Sequence, residues 1–249
     1  MAETNTHSQT HFIASLAAVM WQYYFAGQFA LTMLLFYPYL WWCFRSPRRY
    51  HRALNVQRFW SEYLLDTVGI RVKIIGELPR PEEGPYVFTP NHRNFLDILL
   101  MYFVARGPFH FMAKAELARV PLFGILFSKT HIPFNRSSPS EASLAFRRGL
   151  GELKNGMSLV VFPEATQNPR ADGLLPFKEG AFKLAEEAGV PVVGVYFENN
   201  LERLPHSRDL FRWPGRGGPG EVRIRIMPPV SVSAEFTRQH VRSTMEGWL

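Results

Sequence analysis

The stretch YVFTPNHRNFLDILLMYFVA (86–105) decides the fold class. Residues 86–89 are a short apolar run bounded by a proline, which reads as a buried strand, whereas residues 95–105 form a second apolar run of helical length. A strand that leads straight into a helix is the repeating unit of a parallel sheet covered on both faces. The same alternation runs outward from it. RVKII (71–75) reads as a strand, the proline-rich 77–85 as a loop, 110–114 as a strand, PLFGILFS (121–128) as an apolar helix and HIPF (131–134) as extended chain. Residues 140–155 form an amphipathic helix with Ser138 or Ser140 as cap. Strand 158–162, helix 178–189 and strand 190–197 follow, and EVRIRIMP (221–228) alternates as a half-exposed strand does. The fold is therefore α/β, a mostly parallel sheet flanked by helices, with ligands expected at the carboxyl ends of the strands. The loop 212–220 is rich in turn residues, but no strand-to-helix context makes it a phosphate cradle.

Five polar groups interrupt the deciding stretch where a strand gives way to a helix: Asn91, His92, Arg93, Asn94 and Asp97. With eight histidines and four aspartates in 249 residues, an Asp five places after a His arises by chance about 0.13 times, so spacing alone is suggestive and position must add to it. Across a turn and the first coil of a helix, that spacing can return the carboxylate to an imidazole nitrogen. The carboxylate then sets the tautomer and leaves the other nitrogen to take a proton. The alternative is a histidine that merely caps the helix. No serine lies in a G-x-S-x-G turn and the only cysteine, Cys43, lies far off in an apolar segment, so a proton acceptor here acts on a substrate hydroxyl or amine.

A second cluster follows another strand end. LVVFPEATQNP (159–169) places Glu164 directly after an apolar strand and a proline, with Asn168, Arg170, Asp172 and Lys178 beyond it. HIPFNRSS (131–138) ends a third strand with Arg136. His, Asp, Glu and Arg at three strand ends converge on one rim of a parallel sheet.

The formal net charge of +7 and a pI near 9.7 favour an anionic surface or ligand. Between Glu3 and Arg45 no charged residue occurs, and residues 12–44 are almost wholly apolar. That exceeds the roughly 20 residues of a spanning helix. Two geometries fit: one tilted span, or two shorter helices broken near Gly27 and Pro38 and lying in one leaflet, which is the favoured reading; a buried helix pair in a soluble core is the plainer one. Arg45, Arg48, Arg49 and Arg52 then read as a headgroup-contacting flank on the cytoplasmic side. Residues 1–52 are expected to be a membrane-associated helical segment and 53–249 the catalytic domain. One cysteine excludes an internal disulfide and a cysteine-based zinc site.

NHRNFLD (91–97), HIPFNRS (131–137), FPEATQ (162–167) and VPVVGVYF (190–197) resemble, in order and spacing, the four sequence blocks of the glycerolipid acyltransferase family, typified by 1-acylglycerol-3-phosphate acyltransferases. The resemblance covers about residues 70–200. It implies that His92 is the general base and Asp97 its orienting partner, while Asn91, Arg136, Glu164, Gln167 and Lys178 line the acceptor site. It implies a thioester donor on coenzyme A or acyl carrier protein, a lyso-lipid acceptor, no cofactor and no metal, and a place at the inner membrane of a bacterium. Lys114, Arg119 and Lys178 are candidates for the donor phosphates. In the third block the family pattern is F-P-E-G-T-R; this chain has Ala165 for the glycine and Gln167 for the arginine, so the charged grip on an acceptor phosphate is missing. Arg170 or Lys178 can take its place, or the acceptor is a lyso-aminolipid, such as a lyso-ornithine or lyso-glycine lipid, or another lysophospholipid. Asn94 stands where the family often has serine. Rival classes are a metal-dependent hydrolase, for which His110, His131 and His206 lack ligand spacing, and a catalytically silent membrane-binding module. Nucleic-acid binding has no readable motif.

Overall fold

The computed structural model describes residues 2–115, 124, 131–135, 138–170, 173–205, 217–231 and 233–249. The expected helix at 121–128, most of the 212–220 loop, and Arg119, Arg136, Asp172 and His206 lie outside the described residues.

Seven strands form one sheet: β1 (Ile70–Ile75), β2 (Val87–Pro90), β3 (Phe109–Lys114), β4 (His131–Phe134), β5 (Ser158–Val161), β6 (Val192–Phe197) and β7 (Gly220–Ile226). Their order is β1-β7-β6-β2-β5-β3-β4, and only β6 and β7 run antiparallel. The described helices are α1 (Ala2–Phe44), α2 (Tyr50–Thr67), α3 (Leu96–Val104), α4 (Pro139–Lys154), α5 (Gly180–Ala188), α6 (Asn200–Arg203) and α7 (Ala234–Glu246). The two-residue strand period sorts neighbours to opposite faces. Phe88, Phe111, Val160 and Val193 join the apolar cluster under α1, α2 and α3, whereas Val87, Met112, Leu159 and Val192 join the one under α4, α5 and α7. Burial on both faces is what makes these strands read as continuous apolar runs. Ser138 caps α4: its hydroxyl accepts from the Glu141 N–H at 3.3 Å, while the Glu141 carboxylate accepts from the Asn135 N–H at 3.0 Å.

The N-terminal segment departs from expectation. Instead of two helices broken at Gly27 and Pro38, one helix of 43 residues runs through both. Packing on either side of the weak points outweighs the loss of a backbone bond at the proline. Phe25, Met33, Leu40 and Cys43 are buried, the Trp21 indole donates to the Val68 carbonyl at 2.8 Å, and the Trp60 indole donates to the Thr32 hydroxyl at 2.8 Å. These residues share one apolar cluster with the sheet. Among the described residues no helix is long and apolar enough to cross a membrane. The opposite side of α1 is nonetheless apolar and exposed, with Leu16, Met20, Tyr23, Leu31, Leu34 and Leu35 each at least half accessible.

Candidate active site

Strands β2, β5, β3, β4 and β6 are mutually parallel, so their carboxyl ends share one rim. His92 lies two residues past β2, Glu164 three past β5, and Asn200 three past β6. The turn between β2 and α3 winds back on itself. Asp97, in the first turn of α3, accepts on Oδ2 from the backbone N–H of Arg93 at 2.6 Å and of Asn94 at 3.1 Å. The same oxygen lies 2.8 Å from His92 Nδ1, and Oδ1 accepts from the Asn200 side-chain amide. A carboxylate among these neighbours can only accept, so Nδ1 of His92 carries the proton and Nε2 presents its lone pair. The Asp97 side chain is fully buried and that of His92 is 15% exposed. The imidazole stacks on Phe162, ring centres 4.0 Å apart, which fixes its plane.

Glu164 is built into the backbone of the site. Its Oε1 accepts from the His92 N–H and its Oε2 from the Leu175 N–H, both at 2.8 Å. Burial pushes this carboxyl above its usual range, opposed by those two N–H groups and by the charge of Arg93. The Asn168 N–H returns to the His92 carbonyl at 2.7 Å, so the 162–175 loop is bolted to the histidine on both sides of its peptide. Arg93, 2% exposed, closes the loop by donating to the carbonyls of Arg170 and Gly173. Glutamine at 164 has one acceptor oxygen for two facing N–H groups. Glu164→Gln is therefore expected to lower folding stability by about 1–3 kcal/mol, read in chemical denaturation.

A cleft of about 390 Å³ opens beside the imidazole, walled by Ile98, Phe111, Met112, Ala113 and Phe162 and, on its polar side, by Lys114, Ala165, Thr166 and Gln167. Gln167 thus stands on the cleft wall. Lys178 is exposed, and its backbone N–H donates to the Pro163 carbonyl at 2.8 Å. Asn91 faces away from the cleft: its amide donates to the Phe197 carbonyl at 3.1 Å and its oxygen accepts from the Phe197 N–H at 2.7 Å, tying β2 to β6. Ala165 takes a left-handed conformation, φ 61°. A side chain there costs about 1–2 kcal/mol that glycine avoids, so the exchange at this block position carries local strain. Asn200 escaped the sequence reading; a polar pair, Asn199 and Asn200, one residue beyond the end of an apolar strand is the signal that points to it. Among the described residues no group of three His, Cys, Asp or Glu is placed to hold a metal ion.

The acyltransferase family model matches residues 71–198. A 1-acyl-sn-glycerol-3-phosphate acyltransferase of Haemophilus influenzae is 30% identical over 187 residues, 74% of this chain and 73% of that protein. The lyso-ornithine lipid O-acyltransferase of Pseudomonas aeruginosa is 30% identical over 199 residues, 74% of this chain and 75% of its own length. Across the curated relatives considered, the matched region takes in between 53% and 83% of their lengths. The crystal structure of the 1-acyl-sn-glycerophosphate acyltransferase PlsC from Thermotoga maritima superposes with a TM-score of 0.73 at 22% identity, covering 95% of each chain. It shares the fold.

Proposed function

Because the chain belongs to the acyltransferase family, we propose that it transfers a fatty acyl group from a thioester of coenzyme A or acyl carrier protein to the free hydroxyl of a lyso-lipid, foremost 1-acylglycerol-3-phosphate, giving phosphatidic acid. The observation that carries the reading is the 2.8 Å contact between His92 Nδ1 and a fully buried Asp97 at the head of an apolar cleft.

Nε2 of His92 takes the proton of the acceptor hydroxyl as its oxygen attacks the thioester carbonyl carbon. The tetrahedral oxyanion collapses, the C–S bond breaks, and the imidazolium returns its proton to the departing thiolate. Asp97 stabilises the imidazolium while it exists. A thioester is already activated, so orientation and a base suffice and no acyl-enzyme is required. The cleft wall of Ile98, Phe111, Met112 and Phe162 takes the acyl chain, each buried methylene contributing about 0.8 kcal/mol.

The acceptor comes from a bilayer. Support lies in the exposed apolar side of α1 and in its end, where the Arg45 guanidinium sits 3.8 Å over Trp41 and that of Arg49 4.1 Å over Trp42. Aromatic rings paired with arginines suit the headgroup level of one leaflet, on the cytoplasmic side by the sense of the basic flank.

A second acceptor class, the lyso-aminolipids, is favoured by Gln167 on the cleft wall and by the Pseudomonas relative. Acyl transfer to a panel of lysophosphatidic acid, other lysophospholipids and lyso-ornithine lipid separates the two. If position 167 sets headgroup choice, Gln167→Arg raises use of the phosphate-headed acceptor roughly tenfold or more, the worth of one charge-assisted bond. An unchanged ranking removes position 167 from headgroup choice. A wild-type protein, shown to be folded, that acylates nothing points to a silent membrane-binding module.

A further inference from the structure

Asp97 is held by two kinds of contact. Its Oδ2 is fixed by the local turn, through the N–H groups of Arg93 and Asn94 and the ring of His92. Its Oδ1 depends on a residue 103 positions away: among the described residues the only donor to it is the side-chain amide of Asn200, which is 1% exposed. Without that donor Oδ1 is a buried, unpaired anionic oxygen. The carboxylate then gains by turning about its Cβ–Cγ bond to share the turn's donors between both oxygens, and that rotation carries Oδ2 away from Nδ1 of His92.

Asn200 is itself positioned. It opens α6, a helix of four residues and too short to persist unaided. Asn94 spends its side chain on this helix: Nδ2 donates to the Asn200 carbonyl at 3.1 Å and to the Leu204 carbonyl at 2.6 Å, while Oδ1 accepts from the Leu96 N–H at 2.9 Å. From the other side, Asn199 donates to the Glu221 carbonyl and accepts from the Arg223 N–H, both at 3.0 Å, anchoring the helix to β7. A serine at 94 is too short to reach both carbonyls.

We propose that Asn200 is a positioning residue for acyl transfer: it locks the Asp97 carboxylate in the plane that keeps Oδ2 on His92, and Asn94 is the strut that holds Asn200 in place. The inference rests on the proposed reaction, since it concerns the same dyad. It predicts that the two asparagine side chains act as one unit although only that of Asn200 touches Asp97.

The test is steady-state acyl transfer from acyl-coenzyme A to 1-acylglycerol-3-phosphate by the full chain, wild type beside Asn200→Ala, Asn94→Ser and the double variant, with His92→Ala as control. Asn200→Ala is expected to lower kcat about 10- to 100-fold with KM for both substrates within about twofold, as an interaction felt by the imidazolium in the transition state requires. Asn94→Ser lowers kcat less, and the double variant is no worse than Asn200→Ala alone, because both changes remove the same support. Unchanged kcat in Asn200→Ala overturns the proposal, as does a loss carried by KM, or multiplicative losses in the double variant. If Asn200→Ala does not fold, Asn94→Ser decides alone: a fall in kcat at constant KM supports the strut, and full activity overturns it. A wild type that transfers no acyl group fells the proposed function and this role together; an active, His92-dependent wild type beside an equally active Asn200→Ala fells the positioning role only.

Discussion

Replacing His92 by alanine is expected to lower kcat by roughly 100- to 10,000-fold while the protein stays folded and keeps its affinity for vesicles. The size follows from what is removed. In the proposed reaction the imidazole is the proton acceptor; its Nδ1 lies against the Asp97 carboxylate, and it stands at the head of the cleft with its plane set by Phe162. The fold survives because the backbone contacts around it do not need the ring. The residue's N–H still reaches Glu164, its carbonyl still accepts from Asn168, and Asp97 keeps the N–H groups of Arg93 and Asn94. Kinetics paired with thermal unfolding checks this; a variant that keeps most of its activity removes His92 from the mechanism.

Asp97→Asn is expected to cost about 1,000- to 10,000-fold in kcat and to destabilise the fold as well, unlike the change at His92. An amide has one acceptor oxygen where the carboxylate has two. With that oxygen at the Oδ2 position, the new NH2 group faces the amide of Asn200; with it at Oδ1, the NH2 group faces the two backbone N–H groups and His92. Either rotamer sets donor against donor in a fully buried place, at a cost of about 1–3 kcal/mol. In the second rotamer Nδ1 becomes the acceptor and the proton moves to Nε2, the tautomer unable to act as a base. The expected result is therefore a joint loss of kcat and denaturation midpoint. Loss of stability with kcat intact would mean that Asp97 serves only the fold.

How far the molecule can be read from sequence depends on the reach of each interaction. His92 and Asp97 were legible because five residues across a turn bring them together. The strand-to-helix switch at Pro90 and the cap at Ser138 were legible for the same reason. Glu164 reads from sequence as lying at a strand's carboxyl end, but that its two oxygens hold the backbone of residues 92 and 175 depends on how β2 and β5 pair. Asn91 reads as a site residue by its neighbours, yet its amide stitches β2 to a strand 106 residues away. Asn200, marked only by a polar pair after a strand, has its partner Asp97 103 residues away, so its role is hidden for the same reason in reverse. The insertion of β7 between β1 and β6 is likewise set by long-range pairing, although the alternation of Val222, Ile224 and Ile226 had marked it as half-buried. In α1, Gly27 and Pro38 read as breaks because propensity is local, whereas the packing that carries the helix through them comes chiefly from α2.

The most direct measurement is the fate of a radiolabelled acyl chain. Purified protein would be given labelled acyl-coenzyme A and 1-acylglycerol-3-phosphate in phospholipid vesicles, with acyl carrier protein as the alternative carrier, beside His92→Ala. Direct transfer predicts label in diacylated lipid, formed at a rate the variant loses, and none bound covalently to denatured protein. Label retained on the protein, or product formed equally well without the imidazole, would contradict direct transfer driven by His92 and Asp97.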